Sequence, residues 1–158
     1  MSARDKNEEG KINTLEQEED TVKDVLKEWD ITINHNYFRA EKGVRPALHK
    51  LFSYSMIYLG YIMKFYYLTF TNDQLILFEA PDSRDAVKEN STRIKYEDIE
   101  KFTVEKKFIK YCIQFKYDSK HYYFYIDADG AYSFTGLNTS DINFHSLKER
   151  NFMGLLNK

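Results

Sequence analysis

The chain has 158 residues, a single cysteine and a net charge of −2 at neutral pH. That length suits one domain that buries its own core without metal or disulfide; a lone Cys112 has no internal partner and fits a reducing compartment. The charge is wrong for the basic footprint of a nucleic-acid binder, so no nucleic-acid partner is expected: residues 1–30 hold ten acids and five bases, which leaves +3 for the remainder. Thirteen Tyr, twelve Phe and one Trp suit half-buried pleated surfaces and point to β structure.

Residues 1–13 are polar and charged, with only Ile12 as a large aliphatic side chain beside the first Met, so a disordered tail and no secretory signal are expected. Thr14 followed by Gln17 is a capping-box signature. Val22, Val25, Leu26, Trp29 and Ile33 then recur at helical spacing, which predicts an amphipathic helix within residues 14–33, running from about Leu15 to Asp30. Its apolar stripe must dock on the chain's own sheet, covering an edge or an open mouth, or serve as a partner surface with Trp29 at its end. Asn36 to Lys42 reads as a first strand and Gly43 as a turn. Pro46 suits a first helical position and Gly60 a stop, with Leu48, Leu51, Phe52, Met56 and Leu59 on one face. Leu51 to Met63 carries no charge, but its thirteen residues fall short of the ~20 that span a bilayer. A buried helix or a membrane-surface contact fits better.

From Lys64 onward short strands follow at regular spacing, the pattern of an antiparallel sandwich or barrel. Tyr66 to Phe70 and Leu75 to Phe78 flank Asn72-Asp73, a pair that tolerates positive φ and closes a tight hairpin. Pro81 to Ser91 reads as a charged loop, followed by strands at Ile94 to Tyr96 and Phe102 to Val104. Ile109, Tyr111, Ile113, Phe115 and Tyr117 alternate with Lys110, Cys112, Gln114 and Lys116, as in a strand buried on one face. Asp118-Ser119 turns the chain into a last strand with Tyr122, Phe124 and Ile126 on the core side. Thr139 or Ser140 caps a closing helix that carries Ile142, Phe144 and Leu147. The fold class is mainly β with α (α+β).

Two stretches resemble the small bacterial pleckstrin-homology-like (PH-like) domains. One is Tyr66-Tyr67-Leu68-Thr69-Phe70-Thr71-Asn72-Asp73-Gln74-Leu75-Ile76-Leu77. The other is Ile94-Lys95-Tyr96-Glu97-Asp98-Ile99-Glu100-Lys101-Phe102-Thr103-Val104. The resemblance covers about Asn36 to Arg150 and implies a bent barrel of about seven strands, spanning residues 34–158, plugged by the terminal helix. It also implies a binding or assembly module, not a catalyst; the expected location is cytoplasmic or at a membrane surface. Eukaryotic members hold phosphoinositides with basic residues in the first hairpin loop. Here Pro46 to Met63 has only Lys50, so that activity does not carry over.

No residue set points to catalysis, a metal or a cofactor. His35, His49, His121 and His145 lack metal-ligand spacing, Asp127-Ala128-Asp129-Gly130 departs from a calcium loop, and no nucleophile elbow or Gly-rich phosphate loop occurs. Lys110 and Lys116 beside Cys112 favour a modestly lowered thiol pKa in what is otherwise a structural cysteine. The candidate binding surface is Lys106, Lys107, Lys110 and Lys116 in the densest basic group, with Phe52 and Met56 on the apolar segment and Trp29 on the first helix. The expected partner is a protein or a second copy of the chain. The alternative is peripheral membrane association, with residues 46–63 in the interface and these lysines on anionic head groups.

Overall fold

The computed structural model describes residues 12, 14–52, 64–107, 109–127 and 139–157. Thr14 caps α1 (Leu15–Glu28), its Oγ1 accepting from the Gln17 N–H at 3.1 Å. There follow β1 (Tyr37–Lys42), α2 (Pro46–Phe52), β2 (Lys64–Phe70), β3 (Gln74–Glu79), α3 (Arg84–Glu89), β4 (Thr92–Lys95), β5 (Glu100–Lys107), β6 (Lys110–Tyr117), β7 (Lys120–Ile126) and α4 (Thr139–Glu149). Short 3-10 segments lie at Tyr96–Asp98 and Asn151–Asn157. The seven strands form one antiparallel sheet in the order β4-β3-β2-β1-β7-β6-β5. Among the described residues it does not close into a barrel: β4 and β5 are its two edge strands.

Both faces of β1, β2 and β3 are covered. Phe38, Leu68, Phe70, Leu75 and Leu77 point inward, onto Ile113, Phe115 and Phe124 of the far strands and onto Phe144, Leu147 and Phe152. The alternate residues Tyr37, Tyr67, Ile76 and Phe78 point outward and are covered by Val22, Val25 and Leu26 of α1 and Val87 of α3. This explains the unbroken apolar run from Leu75 to Phe78: a strand buried on both faces loses its alternation. The first helix therefore covers a sheet face, not an edge or a mouth.

Several expectations are corrected. The charged loop 81–91 contains α3, whose N–H of Ala86 is capped by Ser83 Oγ at 3.3 Å. Neither Asn72 nor Asp73 has positive φ; Thr71 organises that turn, with its N–H donating to the Gln74 carbonyl and its Oγ1 accepting from the Gln74 N–H. The left-handed pair sits instead at Asp118-Ser119 (φ 47° and 62°), the geometry of a twisted two-residue hairpin turn. On β6 the inner face is buried as expected, but Cys112 on the outer face is buried too, and Ile109 is exposed. On α4 it is Asn143, with Phe144 and Leu147, that turns inward, while Ile142 is 45% exposed. In α2, among the residues whose burial is described, His49 is buried and Leu51 is 70% exposed. The rest of the expected helix, residues 53–63 with Met56 and Leu59, lies outside the described residues.

One seam positions the functional site. β1 pairs with β7 only at Glu41 and Lys42, so the two strands diverge toward Tyr37. There α4 satisfies the freed backbone: Ser140 Oγ accepts from the Arg39 N–H at 3.0 Å and Asn143 Nδ2 donates to the Tyr37 carbonyl at 2.7 Å. Asn143 is buried for this reason, which its polarity hid in the sequence.

Candidate functional site

A cleft of about 490 Å³ opens on the outer side of this seam, between the first turn of α1, the start of α4 and the ends of β6 and β7. Tyr37, Arg39 and Glu41 alternate on the outer face of β1 and meet α1 and α2 there. Glu18 of α1 accepts from Arg39 Nε at 2.8 Å and from the Tyr67 hydroxyl at 2.9 Å, while Glu19 accepts from the Tyr37 hydroxyl at 2.7 Å. The Arg39 guanidinium lies 3.8 Å from the centre of the Phe65 ring. Burial, reinforced by these carboxylates, pushes both the Tyr37 and the Tyr67 phenol well above the usual range. They are neutral hydrogen-bond donors.

The floor is built on Glu41, whose side chain is 5% exposed. Its Oε1 meets His49 Nε2 at 3.1 Å and its Oε2 accepts from Lys110 Nζ at 2.9 Å. Burial alone would raise the Glu41 carboxyl, but the His49 and Lys110 bonds together outweigh it and hold the carboxyl below its ordinary value. His49 is fixed in turn by its ring stack on Tyr125, 3.7 Å between centres, and the Tyr125 hydroxyl donates to the Val44 carbonyl at 2.6 Å. Asp127, at the cleft rim, is pushed up by burial, with Glu41 adding to the rise and Lys110 opposing it.

Arg39 is thus neutralised by Glu18, Lys110 by Glu41 and Glu19 by Lys23 at 3.4 Å, which leaves Glu16 and Asp127 as the further acids lining the cleft. Tyr67, Phe65, Ile126 and Leu15 supply apolar wall, and Leu15 is 65% exposed at the rim. A rigid concavity with fixed charges and apolar walls suits docking of a ligand segment. Comparison with family models, curated proteins and solved structures finds no match to this chain.

Among the described residues, those expected to bind do not assemble into one surface. Lys107 pairs with Glu105 at 2.6 Å, Lys116 with Glu100 at 3.2 Å and Lys110 with Glu41, while Lys106 lies 5.8 Å from the Tyr111 ring centre. Lys110 and Lys116 stand at opposite ends of β6, about 20 Å apart at the rise of a strand. Only Lys110 lines the cleft. Trp29 packs against the outer core with Arg93 4.7 Å over its ring. Phe52 ends α2, and Met56 lies outside the described residues. Burial raises the Cys112 thiol, outweighing the Lys107 charge that favours the thiolate, so the expected modest lowering is reversed. Among the described residues no group of His, Cys, Asp and Glu is arranged to hold a metal ion, and no helix is long and apolar enough to cross a membrane.

Sequence reading missed Arg39, Glu41, His49 and Tyr125. A signal existed for the first two: they alternate with Phe38 and Ala40, so they share the outer face of β1, where a helix has to dock. His49 and Tyr125 had none, because what brings them together is the fold of the β1–β2 connection.

Proposed function

We propose that this chain is a non-enzymatic, PH-like interaction module that engages a protein partner, or a second copy of itself, through the cleft at the β1–β7 seam. The observation that carries the reading is the seam itself: two strands that part after a two-residue pairing, with the terminal helix set into the gap and a walled concavity above it. The strand order and the α-helix that follows the last strand support a PH-like architecture by analogy. The cleft's charges favour holding over reacting: Glu18 and Glu41 have two partners each, and the nearby thiol is buried with a raised pKa. Docking along a sheet edge is disfavoured, since β4 has four residues and β5 carries Lys, Glu and a register shift, devices that protect an edge. A photo-crosslinker placed at Leu15, on the rim, tests the reading against the same group at Glu97 on the far end of the sheet. Adducts with a protein or with the chain itself are expected at Leu15 only; none at Leu15, or equal adducts at both, sinks it.

Peripheral membrane contact is a second reading, favoured by the exposure of Leu51 and Ile109 at the same end of the sheet as Lys50, Lys106 and Lys107. Co-sedimentation with anionic liposomes that is abolished by Leu51→Glu with Ile109→Glu supports it, and absence of co-sedimentation ends it.

A further inference from the structure

A second groove, about 530 Å³, lies at the other end of the sheet, where the α1–β1 connection, the β2–β3 turn and β4 meet the C-terminal segment. Its walls are fixed by polar ties. The buried Asn36 amide donates to the Thr32 and Phe70 carbonyls and accepts from the Asn34 N–H; Arg150 donates to the Asn34 and His35 carbonyls; the Tyr96 hydroxyl donates to the Thr71 carbonyl. A groove whose backbone is held this firmly costs little further ordering when it binds.

Its chemistry is unlike that of the cleft. The charged residues lining it are Asp30, Asp73, Arg93 and Arg150, which sum to zero, so its lining carries no net charge to favour an ion of either sign. Asp30, Asn72, Gln74 and Arg93 line the groove; Gln74 is half-buried and the other three are exposed, and their side chains make no hydrogen bond or ion pair among the described residues. They offer a pure acceptor, two amides that both donate and accept, and a guanidinium that only donates. Arg93 is kept in place by its seat over the Trp29 ring. A phosphate or carboxylate on Arg93 would share the groove with Asp30 and Asp73, and a planar base would find the indole face already covered by Arg93. A hydroxyl group suits every member of the set, because it donates to a carboxylate and accepts from a guanidinium. Ile31 and Met153 add apolar surface for C–H groups.

We propose that this groove is a binding site for a neutral, hydroxyl-rich ligand, a sugar residue, held by Asp30, Asn72, Gln74 and Arg93 beside Trp29. The chain's one Trp stands at the site, so its emission reports occupancy directly. The experiment titrates the whole chain with glucose, galactose, N-acetylglucosamine and their soluble oligomers, with inorganic phosphate and acetate as ionic controls. At least one neutral saccharide is expected to give a saturable change, weakened about five- to tenfold by Asn72→Ala or Asp30→Asn, the loss of one neutral or charge-assisted hydrogen bond. Asp30 has φ 57°, which Asn also accepts, so that variant keeps the local backbone; far-UV circular dichroism checks both. Saturation by phosphate or acetate alone, a saccharide response that both variants leave unchanged, or no saturable response to any saccharide overturns the proposal. None of these outcomes touches the cleft at the seam.

Discussion

A Cβ built on Gly43 would lie 2.7 Å from Tyr125 Cε2 and 3.0 Å from His49 Cδ2, both in the ring stack that fixes the cleft floor. Neither ring has room to retreat, since His49 is held by Glu41 and Tyr125 by Val44. Gly43→Ala is therefore expected to cost about 1–3 kcal/mol, the range for forced overpacking, measured by urea unfolding. Glu41 gives a pH signature with a definite sign. Its folded pKa lies below the ordinary 4.5, so the stability it contributes is fully present above that value and is lost as pH falls through the folded pKa. Glu41→Gln is expected to cost about 1–3 kcal/mol near neutral pH, the range for lost charge-assisted bonds. The gap to the parent should close as pH falls below 4.5. A gap independent of pH would show that the carboxylate charge contributes nothing. Little of this was legible in the sequence, since Gly43 read only as a turn and His49 as one of four isolated histidines.

At the scale of elements, periodicity succeeded where an element was long and one-sided. The fourteen-residue α1 and the alternating β6 were readable; α3, with six residues and only Val87 buried, was not. The pairing of α1 with α3 was hidden for the same reason: Glu28 receives Arg84 and Lys88, which lie on an element that the sequence presents as loop. Where α1 docks was written less in its own stripe than in β3, whose unbroken apolar run from Leu75 to Phe78 requires cover on both faces. Leu26→Ala should accordingly cost about 2–5 kcal/mol, as for a fully buried leucine. Leu51→Ala, at 70% exposure, should stay within about 0.5 kcal/mol. Equal effects in parallel denaturant curves would contradict the docking of α1 on the sheet.

For the whole molecule, the inner and outer cores pack on the two faces of the same strands, β1, β2 and β3, so weakening either is expected to loosen the other. The inner core is closed by Phe152, at 0% exposure, whose ring packs 5.4–5.6 Å from Phe70, Phe102 and Phe144. It is carried there by a left-handed turn from Asn151 to Gly154, a backbone form that costs L residues energy and endures only where packing offsets it. Only Asn151 and Gly154, at its two ends, mark that turn in the sequence, whereas the succession of strands was readable from their hairpins. Phe152→Ala should cost about 3–5 kcal/mol. Its effect should reach α1, which Phe152 does not touch, because both cores lean on the same strands. Trp29 emission follows the outer core and near-ultraviolet tyrosine dichroism the sheet, so the two signals should give one coincident transition in the parent and again, at lower denaturant, in Phe152→Ala and Leu26→Ala. Trp29 melting apart from the tyrosine signal in any of the three would mean that α1 is a separately stable layer, and the cleft between α1 and the seam would then open without unfolding the sheet.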